Sequence, residues 1–375
     1  MSIPFIDLKA QYLENKQNID SAIHRVLDHG QYIMGPEVKE LEKQLAEYIG
    51  VKHVLACSSG TDALLLPLMA KDIKAGDIVF TTPFTFFASA ESITLAGGQV
   101  VFVDIDPDTY NICPIDLEKK IIEQKAKGTG TLRAIMPVDL FGLAADFNKI
   151  NDIAKKYDLF VIEDAAQSFG AKYHDKKACG LGDVAATSFY PAKPLGCYGD
   201  GGAVFTNDSE LYEKMISIRV HGQGISGDKY DNIRIGLNAR MDTIQAAILL
   251  EKLKNYDNEI KLRNLVASTY SENLIDTIKT PTVPVGQGSV WAQYSIQVEN
   301  REKLKEDLNK LGVPTAIFYP TPIHLSTAYS HLGYKTGDFP VSEDVSKKII
   351  SLPMHPFLEK EQILKITDSV NQSAK

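Results

Sequence analysis

Short apolar runs rich in β-branched residues alternate with amphipathic stretches between about residue 50 and residue 206, and this rhythm constrains the fold more than any other feature. Strands buried on both faces read as nearly continuous apolar runs, whereas strands with one wet face alternate apolar and polar residues. The rhythm therefore predicts an α/β fold with a mostly parallel, seven-stranded sheet flanked by helices. The predicted strands are KHVLACSS (52–59), DIVFTT (77–82), QVVFVDID (99–106), RAIMPVDL (133–140), LFVIEDAA (159–166), VAATSFY (184–190) and GGAVFTN (201–207).

Near residue 242 the pattern changes into a long helical run, which is long enough to bridge two lobes, and then into shorter mixed elements. We therefore expect a large α/β domain over 1–250 and a smaller α+β domain over 251–375, which agrees with the prior of about 150 residues per domain. The elements predicted in the second part are a helix at 243–274, strands at 290–300 and 315–322, and a helix at 302–312.

Charge and cysteine content exclude several classes of protein. Aspartate and glutamate number 48 against 40 lysines and arginines, so the formal net charge is −8. We therefore expect no nucleic-acid partner, because such proteins carry a broad basic face. The four cysteines are widely spaced without a C-x-x-C pair, which argues against a disulfide framework and a structural zinc site. The eight histidines show no metal-binding spacing either, so no metal is expected.

The sequence also predicts where the protein works. The N-terminus lacks the pattern of a signal peptide, and no segment approaches the roughly 18 consecutive apolar residues of a membrane span. We expect a cytoplasmic protein with no membrane partner.

A strand that runs into Ser58, Ser59, Gly60 and Thr61 and then into a helix predicts an anion-binding turn. Free amides at a helix N-terminus stabilise a nearby anion by about 0.3 to 1 kcal/mol, and by up to about 2 kcal/mol when partly buried. The same residues are equally consistent with a plain N-cap, so this motif needs further groups before it indicates a phosphate site.

Two other motifs carry charged groups to the same region. Glu163 and Asp164 end an apolar strand at the edge where α/β sheets bind ligands, and a buried carboxylate there needs a structural arginine or a cationic ring nitrogen as partner. Lys193 lies between Pro191 and Pro194, just after another apolar strand. Its side chain is either solvated or buried. A buried lysine has a lowered pKa and can attack carbonyl carbon atoms. A phosphate cradle, a ring-nitrogen carboxylate and a Schiff-base lysine are together what pyridoxal 5′-phosphate requires of a protein.

Five segments resemble the DegT/StrS sugar aminotransferases, which have the aspartate-aminotransferase fold (fold type I), and the similarity covers nearly the whole chain. The resemblance implies that Lys193 forms the Schiff base with the cofactor and that Asp164 pairs with its pyridine nitrogen. The segments are CSSGTDALL (57–65), PFTFFASAE (83–91), VIEDAAQSFGA (161–171), TSFYPAKPLGCYGDGGAVFTND (187–208) and GLNARMDTIQAAIL (236–249).

The resemblance implies further contacts and an assembly. Gln167 would lie near the cofactor hydroxyl and Phe86 would stack on the ring. The phosphate would be held by Gly60, Thr61 and Ser188, and by Asn238 of the neighbouring subunit. The implied protein is a homodimer with shared active sites, which moves an amino group from L-glutamate to a nucleotide-linked ketosugar through pyridoxamine 5′-phosphate and releases 2-oxoglutarate.

The substrate is predicted from charge and from the resemblance together. Residues 219–240 contain four strong bases and two acids, which suits an anionic substrate, although a solvated loop is an equal alternative. The chain is most similar to enzymes that aminate carbon 3 of UDP-2-acetamido-2-deoxy-3-oxo-glucuronate in bacterial surface-polysaccharide (O-antigen, lipopolysaccharide) biosynthesis. Phe318 departs from the histidine that close relatives often carry before Tyr-Pro. The candidate substrate contacts are Arg240 for the carboxylate, with Lys229, His221, Tyr319 and His324.

Two alternatives stay open on the sequence, another ketosugar substrate and a regulatory protein, and two are disfavoured, a sugar dehydrase and a nicotinamide dehydrogenase. The substrate could be another dTDP- or UDP-linked 3-oxo or 4-oxo-6-deoxy sugar. A sugar 3-dehydrase shares this architecture, but it typically has histidine in place of Lys193. A non-catalytic regulatory protein on this fold need not retain every cofactor contact. A G-x-G-x-x-G at Gly222, Gly224 and Gly227 nominally fits a nicotinamide dehydrogenase, but it follows a helical pattern instead of a strand.

Overall fold

A computed structural model describes residues 3–224 and 230–374. Within them it contains three β-sheets, of seven, three and two strands, and thirteen α-helices. The strands are β1 (His53–Cys57), β2 (Asp77–Thr81), β3 (Gln99–Phe102), β4 (Thr131–Ile135), β5 (Phe160–Asp164), β6 (Lys172–Tyr173), β7 (Lys176–Lys177), β8 (Val184–Ser188), β9 (Gly202–Thr206), β10 (Gln287–Gly288), β11 (Tyr294–Gln297) and β12 (Ile349–Leu352). The helices are α1 (Leu8–Glu14), α2 (Lys16–His29), α3 (Pro36–Ile49), α4 (Gly60–Ala70), α5 (Ala88–Leu95), α6 (Pro114–Lys127), α7 (Phe147–Tyr157), α8 (Ser209–Arg219), α9 (Thr243–Leu253), α10 (Tyr256–Asn273), α11 (Arg301–Lys310), α12 (Pro340–Lys348) and α13 (Lys360–Ser373). Short 3₁₀ turns cover Leu140–Gly142, Ile323–Leu325 and Thr327–Leu332.

The central sheet has seven strands in the order β1-β9-β8-β5-β4-β2-β3. Only β9 runs antiparallel to its neighbours, and each of the seven predicted apolar runs supplies one strand. Helices cover both faces, which buries the strands on both sides and explains their continuous apolar sequences. The predicted mostly parallel seven-stranded sheet of fold type I is confirmed.

Two local predictions are wrong. Residues 243–274 form two helices instead of one, because the chain turns between Leu253 and Tyr256, where the amide of Asn255 donates to the carbonyl of Lys252. Residues 315–322 form no strand beyond a single bridge between Ala316 and Ser351. The segment contains two prolines, which lack the amide hydrogen that a sheet ladder needs.

A second, smaller core lies around β11 and β12 and is built by α10, α11 and α13. Ile3 from the start of the chain packs into this core. Helix α10 contacts both cores, since Tyr256 packs against the helices of the central sheet and Tyr270 packs in the smaller core. The boundary between 1–250 and 251–375 therefore stays a prediction.

The parallel strands carry polar residues to one edge of the central sheet. Asp164 is the last residue of β5, Ser188 is the last residue of β8, and Gly60 opens α4 shortly after β1. In open α/β sheets the carboxyl ends of the strands form the ligand-binding edge. The topology therefore brings the three separate sequence motifs to one place. Among the described residues no helix is both long enough and apolar enough to cross a bilayer.

Candidate active site

A cavity of about 720 Å³ opens at the carboxyl edge of the central sheet, between this edge and the segment that carries Phe318 and Tyr319. Its size is within the range of small-molecule sites in proteins. Eight of the residues predicted for the site line the cavity: Gly60, Thr61, Phe86, Asp164, Gln167, Ser188, Lys193 and Tyr319. Their roles toward cofactor and substrate are proposals that this placement supports.

The N-terminus of α4 forms one end of the cavity. Ser59 caps this helix by accepting a hydrogen bond from the amide of Asp62 at 3.0 Å. The amides of Gly60 and Thr61 have no partner among the described residues, which leaves two donors at the positive end of the helix dipole. A Cβ atom at Gly60 would lie 2.6 Å from the Cβ of Ser188, so only glycine allows this close approach. We call residues 58–61 the phosphate turn, because their two free amides fit a bound phosphate.

Asp164 is buried in the wall of the cavity. Its Oδ2 accepts a hydrogen bond from the Ser89 hydroxyl at 2.7 Å, and its Oδ1 accepts one from the Ala166 amide at 3.2 Å. Burial raises the pKa of this carboxyl, while the two hydrogen bonds and the charge of Lys193 act in the opposite direction. A carboxylate held in this way stabilises a positive charge on a ring nitrogen placed against it.

Lys193 lies in the loop after β8, and its backbone amide donates to the carbonyl of Tyr190 at 2.8 Å. Burial lowers the pKa of its ammonium group, and the charge of Asp164 offsets part of this effect. A lowered pKa increases the share of neutral amine, which is the form that attacks carbonyl carbon and accepts protons. Lys193 and Asp164 therefore form an electrostatically coupled pair inside the cavity.

Gln167 and Tyr319 connect the two sides of the cavity. The side-chain carbonyl of Gln167 accepts a hydrogen bond from the amide of Phe141 at 2.9 Å, and its amide donates to the hydroxyl of Tyr319 at 3.3 Å. Burial raises the pKa of Tyr319, so its hydroxyl stays protonated at neutral pH. Phe86 lies at the cavity with 58% of its surface exposed, where a planar ligand can cover it.

Of the five other predicted residues, four are described, and none of these four lines the cavity. Asn238 is exposed, and its side chain accepts a hydrogen bond from Nε of Arg240 at 2.9 Å. Both residues lie beside the phosphate turn, because the carbonyl of Ala239 accepts a hydrogen bond from the amide of Ser58. His221 is exposed, with a φ of +61°. Lys229 lies outside the described residues.

His324 is the fourth residue that the structure keeps away from the cavity. It is 1% exposed, its Nε2 contacts Oε1 of Glu343 at 3.2 Å, and its ring packs on Phe339. Although it follows Tyr319 closely in the sequence, a 3₁₀ turn directs it into the protein. His324 therefore packs in the interior of the protein, and this position does not support the predicted contact with substrate.

Two charged residues that the sequence placed near the ligand have partners of their own. Arg219, one of the four bases counted in 219–240, is buried and pairs with Glu42 at 2.7 Å. Glu163 accepts hydrogen bonds from the amides of Cys179, Leu181 and Gly182, at 2.6, 2.8 and 3.3 Å. Successive side chains of a strand point to opposite faces, so Glu163 points away from the cavity that Asp164 lines. Its carboxylate binds backbone amides and has a structural role. Burial raises the pKa of Glu163 to about 7.

The sequence did not single out several residues of the cavity wall. Ser89 contacts Asp164, and Gln293 comes from the segment just before β11. The side-chain oxygen of Gln293 is buried without a hydrogen-bond partner among the described residues, so it can accept a hydrogen bond from a bound ligand. Ser89 lies in the segment 83–91 that carries Phe86, and Gln293 is far from every motif in sequence, so only the fold shows that both line the cavity with Asp164.

The residues present fit pyridoxal 5′-phosphate. The α4 turn would hold its phosphate, Asp164 its ring nitrogen and Phe86 its ring face, while Lys193 would hold its aldehyde carbon. When bound, this cofactor supplies an electron sink for a carbanion. Asp164 would then stabilise a positive charge at the ring nitrogen, and the Lys193 amine could accept a proton at Nζ and return it to a neighbouring carbon.

Known proteins are similar to this chain over nearly its whole length. Residues 14–371 match the DegT/DnrJ/EryC1/StrS aminotransferase family. The UDP-2-acetamido-2-deoxy-3-oxo-D-glucuronate aminotransferase of Pseudomonas aeruginosa is 49% identical over 362 residues, covering 96% of this chain and 97% of that protein. A pleiotropic regulatory protein of Geobacillus stearothermophilus is 43% identical and covers 96% of each chain. The crystal structure of a DegT DnrJ EryC1 StrS aminotransferase from Brucella abortus is 50% identical, with a TM-score of 0.96 and 99% of each chain covered.

These similarities agree with the chemistry of the cavity. The family depends on pyridoxal 5′-phosphate, and a solved Bacillus subtilis protein that is 29% identical to this chain holds the pyridoxamine form of the cofactor. The family match covers far more than half of the chain and includes the phosphate turn, Asp164 and Lys193. The chain therefore belongs to the DegT/DnrJ/EryC1/StrS aminotransferase family and is a pyridoxal-phosphate-dependent aminotransferase that acts on nucleotide-linked keto sugars.

Proposed function

We propose that this enzyme transfers an amino group from L-glutamate to carbon 3 of UDP-2-acetamido-2-deoxy-3-oxo-D-glucuronate, for the biosynthesis of a bacterial surface polysaccharide. The observation that carries the proposal is the 49% identity, over 96% of this chain, to a Pseudomonas aeruginosa protein with that name. A cytoplasmic location is part of the same proposal and rests on the sequence alone.

The charge of the cavity bears on how such a substrate is held. Among the described residues that line it, Lys193 is the only lysine, arginine or histidine, while Asp164 and Asp200 are acids. A UDP-linked uronate carries a pyrophosphate and a carboxylate, and these groups need cations. Since Lys193 is occupied with the cofactor, the cations must come from outside this cavity wall.

A homodimer would supply the missing groups. Asn238 and Arg240 lie beside the phosphate turn but not in their own cavity, and the Arg240 guanidinium donates a hydrogen bond to the uncharged side chain of Asn238. The preceding segment exposes apolar side chains at Tyr230, Ile233 and Ile235, the last of these to 84%. Exposed apolar side chains close together indicate an interaction surface. We therefore propose that Asn238 and Arg240 complete the cavity of a second copy.

Mixing two inactive variants tests this sharing. Lys193→Ala chains keep Asn238 and Arg240, and chains with Asn238→Ala and Arg240→Ala together keep Lys193. Co-refolded or co-expressed in equal amounts, they should recover about a quarter of wild-type activity, because half of the dimers are mixed and each has one intact site. Each variant alone serves as its control. No recovery in verified mixed dimers would contradict a shared site.

The substrate proposal predicts a selective effect of Arg240→Ala. A charged hydrogen bond is worth about 1.5 to 3 kcal/mol, so kcat/KM for the 3-oxo uronate should fall roughly 10-fold to 150-fold. The 6-deoxy analogue has no carboxylate and should lose much less. Turnover is measured with glutamate and a panel of 3-oxo and 4-oxo UDP and dTDP sugars. Equal losses on both sugars would place the carboxylate elsewhere, and a preference for a 4-oxo sugar would refute the 3-oxo uronate.

A regulatory protein is the second candidate, because the Geobacillus stearothermophilus relative at 43% identity is named a pleiotropic regulatory protein. A protein without catalysis has no need to retain the whole set of cofactor contacts, yet the phosphate turn, Asp164, Gln167 and Lys193 line one cavity here. The same sugar panel separates the candidates, since a non-catalytic protein would turn over none of the sugars.

A further inference from the structure

Among the described residues, Asp164 accepts one side-chain hydrogen bond, from Ser89, and faces one cationic side chain, that of Lys193. Its Oδ2 accepts from the Ser89 hydroxyl at 2.7 Å, whereas its Oδ1 has only the longer contact, 3.2 Å, from the Ala166 amide. Asp164 and Ser89 are both buried, at 3% and 2% exposure, and both lie in the wall of the cavity that would hold the cofactor. Ser89 therefore provides the strongest hydrogen bond to the carboxylate from the described residues.

Ser89 is itself held in place by its neighbours. It lies in the first turn of α5, where its amide donates to the carbonyl of Phe86 at 3.2 Å. Its oxygen also lies 3.2 Å from Oγ1 of Thr85. Because the Ser89 proton is given to the carboxylate, the Thr85 hydroxyl must be the donor in this second contact. The result is a directed chain from Thr85 to Ser89 to Asp164.

We propose that Ser89 is a positioning residue, which keeps Asp164 ionised and fixes its orientation toward the cofactor's ring nitrogen, with Thr85 orienting the serine hydroxyl. This inference rests on the proposed role of Asp164. A hydrogen bond to the ionised form of a buried carboxyl lowers its pKa, and Ser89 is the largest of the effects that oppose the rise caused by burial. Without the hydroxyl, the pKa of Asp164 would rise. The carboxyl would then be neutral over a wider pH range and would no longer stabilise a charged ring.

The same helix offers a matched control. Ser92 is as buried as Ser89 and lies one turn further along α5, but its hydroxyl donates to the backbone carbonyl of Ser89 at 3.2 Å and does not contact Asp164. Ser92→Ala removes an equally buried hydroxyl from the same element. A difference between the two variants therefore reports the contact with Asp164 and not the packing of α5.

The test is the affinity of each apoenzyme for pyridoxal 5′-phosphate, titrated by absorbance from pH 5 to 8. Ser89→Ala should weaken binding about tenfold near the acidic end, the loss expected for one hydrogen bond to a charged group, and should move the acidic decline in affinity to higher pH. Ser92→Ala should match the wild type. In an Asp164→Asn background, which has no carboxylate to ionise, Ser89→Ala should cause no further loss.

Two outcomes are decisive and can be told apart. If Asp164→Asn weakens binding but Ser89→Ala behaves like Ser92→Ala, the role of Ser89 is refuted and that of Asp164 stands. If Asp164→Asn leaves both affinity and its pH dependence unchanged, the proposed role of Asp164 fails first. Should Ser89→Ala not fold, Thr85→Val takes its place, with a smaller shift in the same direction expected, and no shift refutes the hydrogen-bonded chain.

Discussion

Replacing Lys193 with alanine is expected to stop both halves of the transamination, from glutamate to the cofactor and from the cofactor to the ketosugar. The substitution removes the group that would hold the cofactor's aldehyde carbon and the base that would move the proton. A positioned general base alone contributes about 10² to 10⁴ in rate, so turnover should fall by at least about a hundredfold, and further because the covalent link to the cofactor is also lost. Single-turnover absorbance measurements with glutamate and with ketosugar follow each half separately.

Two further variants test whether the loss of turnover comes from the missing amine of Lys193. Lys193→Arg keeps a positive charge in the cavity but not a nucleophilic amine, and it should be as inactive as the alanine variant. Lys155→Ala removes an exposed lysine of α7 and should leave turnover unchanged. Turnover that survives in either Lys193 variant would mean that this amine is not the catalytic group.

Asp164→Asn is expected to give the second-largest loss while the cofactor still binds. Breaking a buried ion pair costs about 3 to 5 kcal/mol, which corresponds to a rate loss of roughly 10² to several thousandfold when the pair stabilises the transition state. The loss should fall on proton abstraction, measured with glutamate that carries deuterium at its α-carbon. The phosphate turn should keep the variant able to bind the cofactor.

The pH dependence of this variant follows from the direction of the pKa shift. Burial raises the pKa of Asp164, and the ionised form is the active one, so wild-type activity should decline on acidification at a pH above the ordinary range of aspartate. Asparagine does not ionise, so this acidic decline should disappear. Glu163→Gln changes the adjacent carboxyl, which faces backbone amides, and should affect stability more than rate. An Asp164→Asn variant with the wild-type rate would contradict the ring-nitrogen role.

The parts of the fold that could be predicted are those whose cause is local. A strand buried on both faces must be apolar along its length, and for this reason all seven strands of the central sheet could be read from short runs such as that before Asp164. A turn that leads from a strand into a helix carries free amides wherever it occurs, which made Gly60 and Thr61 predictable.

Three residues could not be interpreted from the sequence, because their partners are distant in the chain. Arg219 was counted among the bases for an anionic ligand, but it pairs with Glu42, 177 residues away. His324 follows Tyr319 closely, yet a 3₁₀ turn directs it toward Glu343. Ser89 and Asp164 are separated by 75 residues, and no local pattern shows that the first turn of α5 lies against the end of β5. In each of these three cases the role of the residue depends on a side-chain partner that only the fold brings close.

The most direct test of the account is to reduce the holoenzyme with borohydride, digest it and map the modified lysine by mass spectrometry. Lys252 provides an internal comparison, because burial also lowers its pKa, to about 8, but its ammonium group contacts the carbonyl of Gly196 and does not line the cavity. We expect the reduced cofactor on the peptide that contains Lys193 and not on the one that contains Lys252. A label on Lys252, or holoenzyme with no covalent label, would contradict the proposed site.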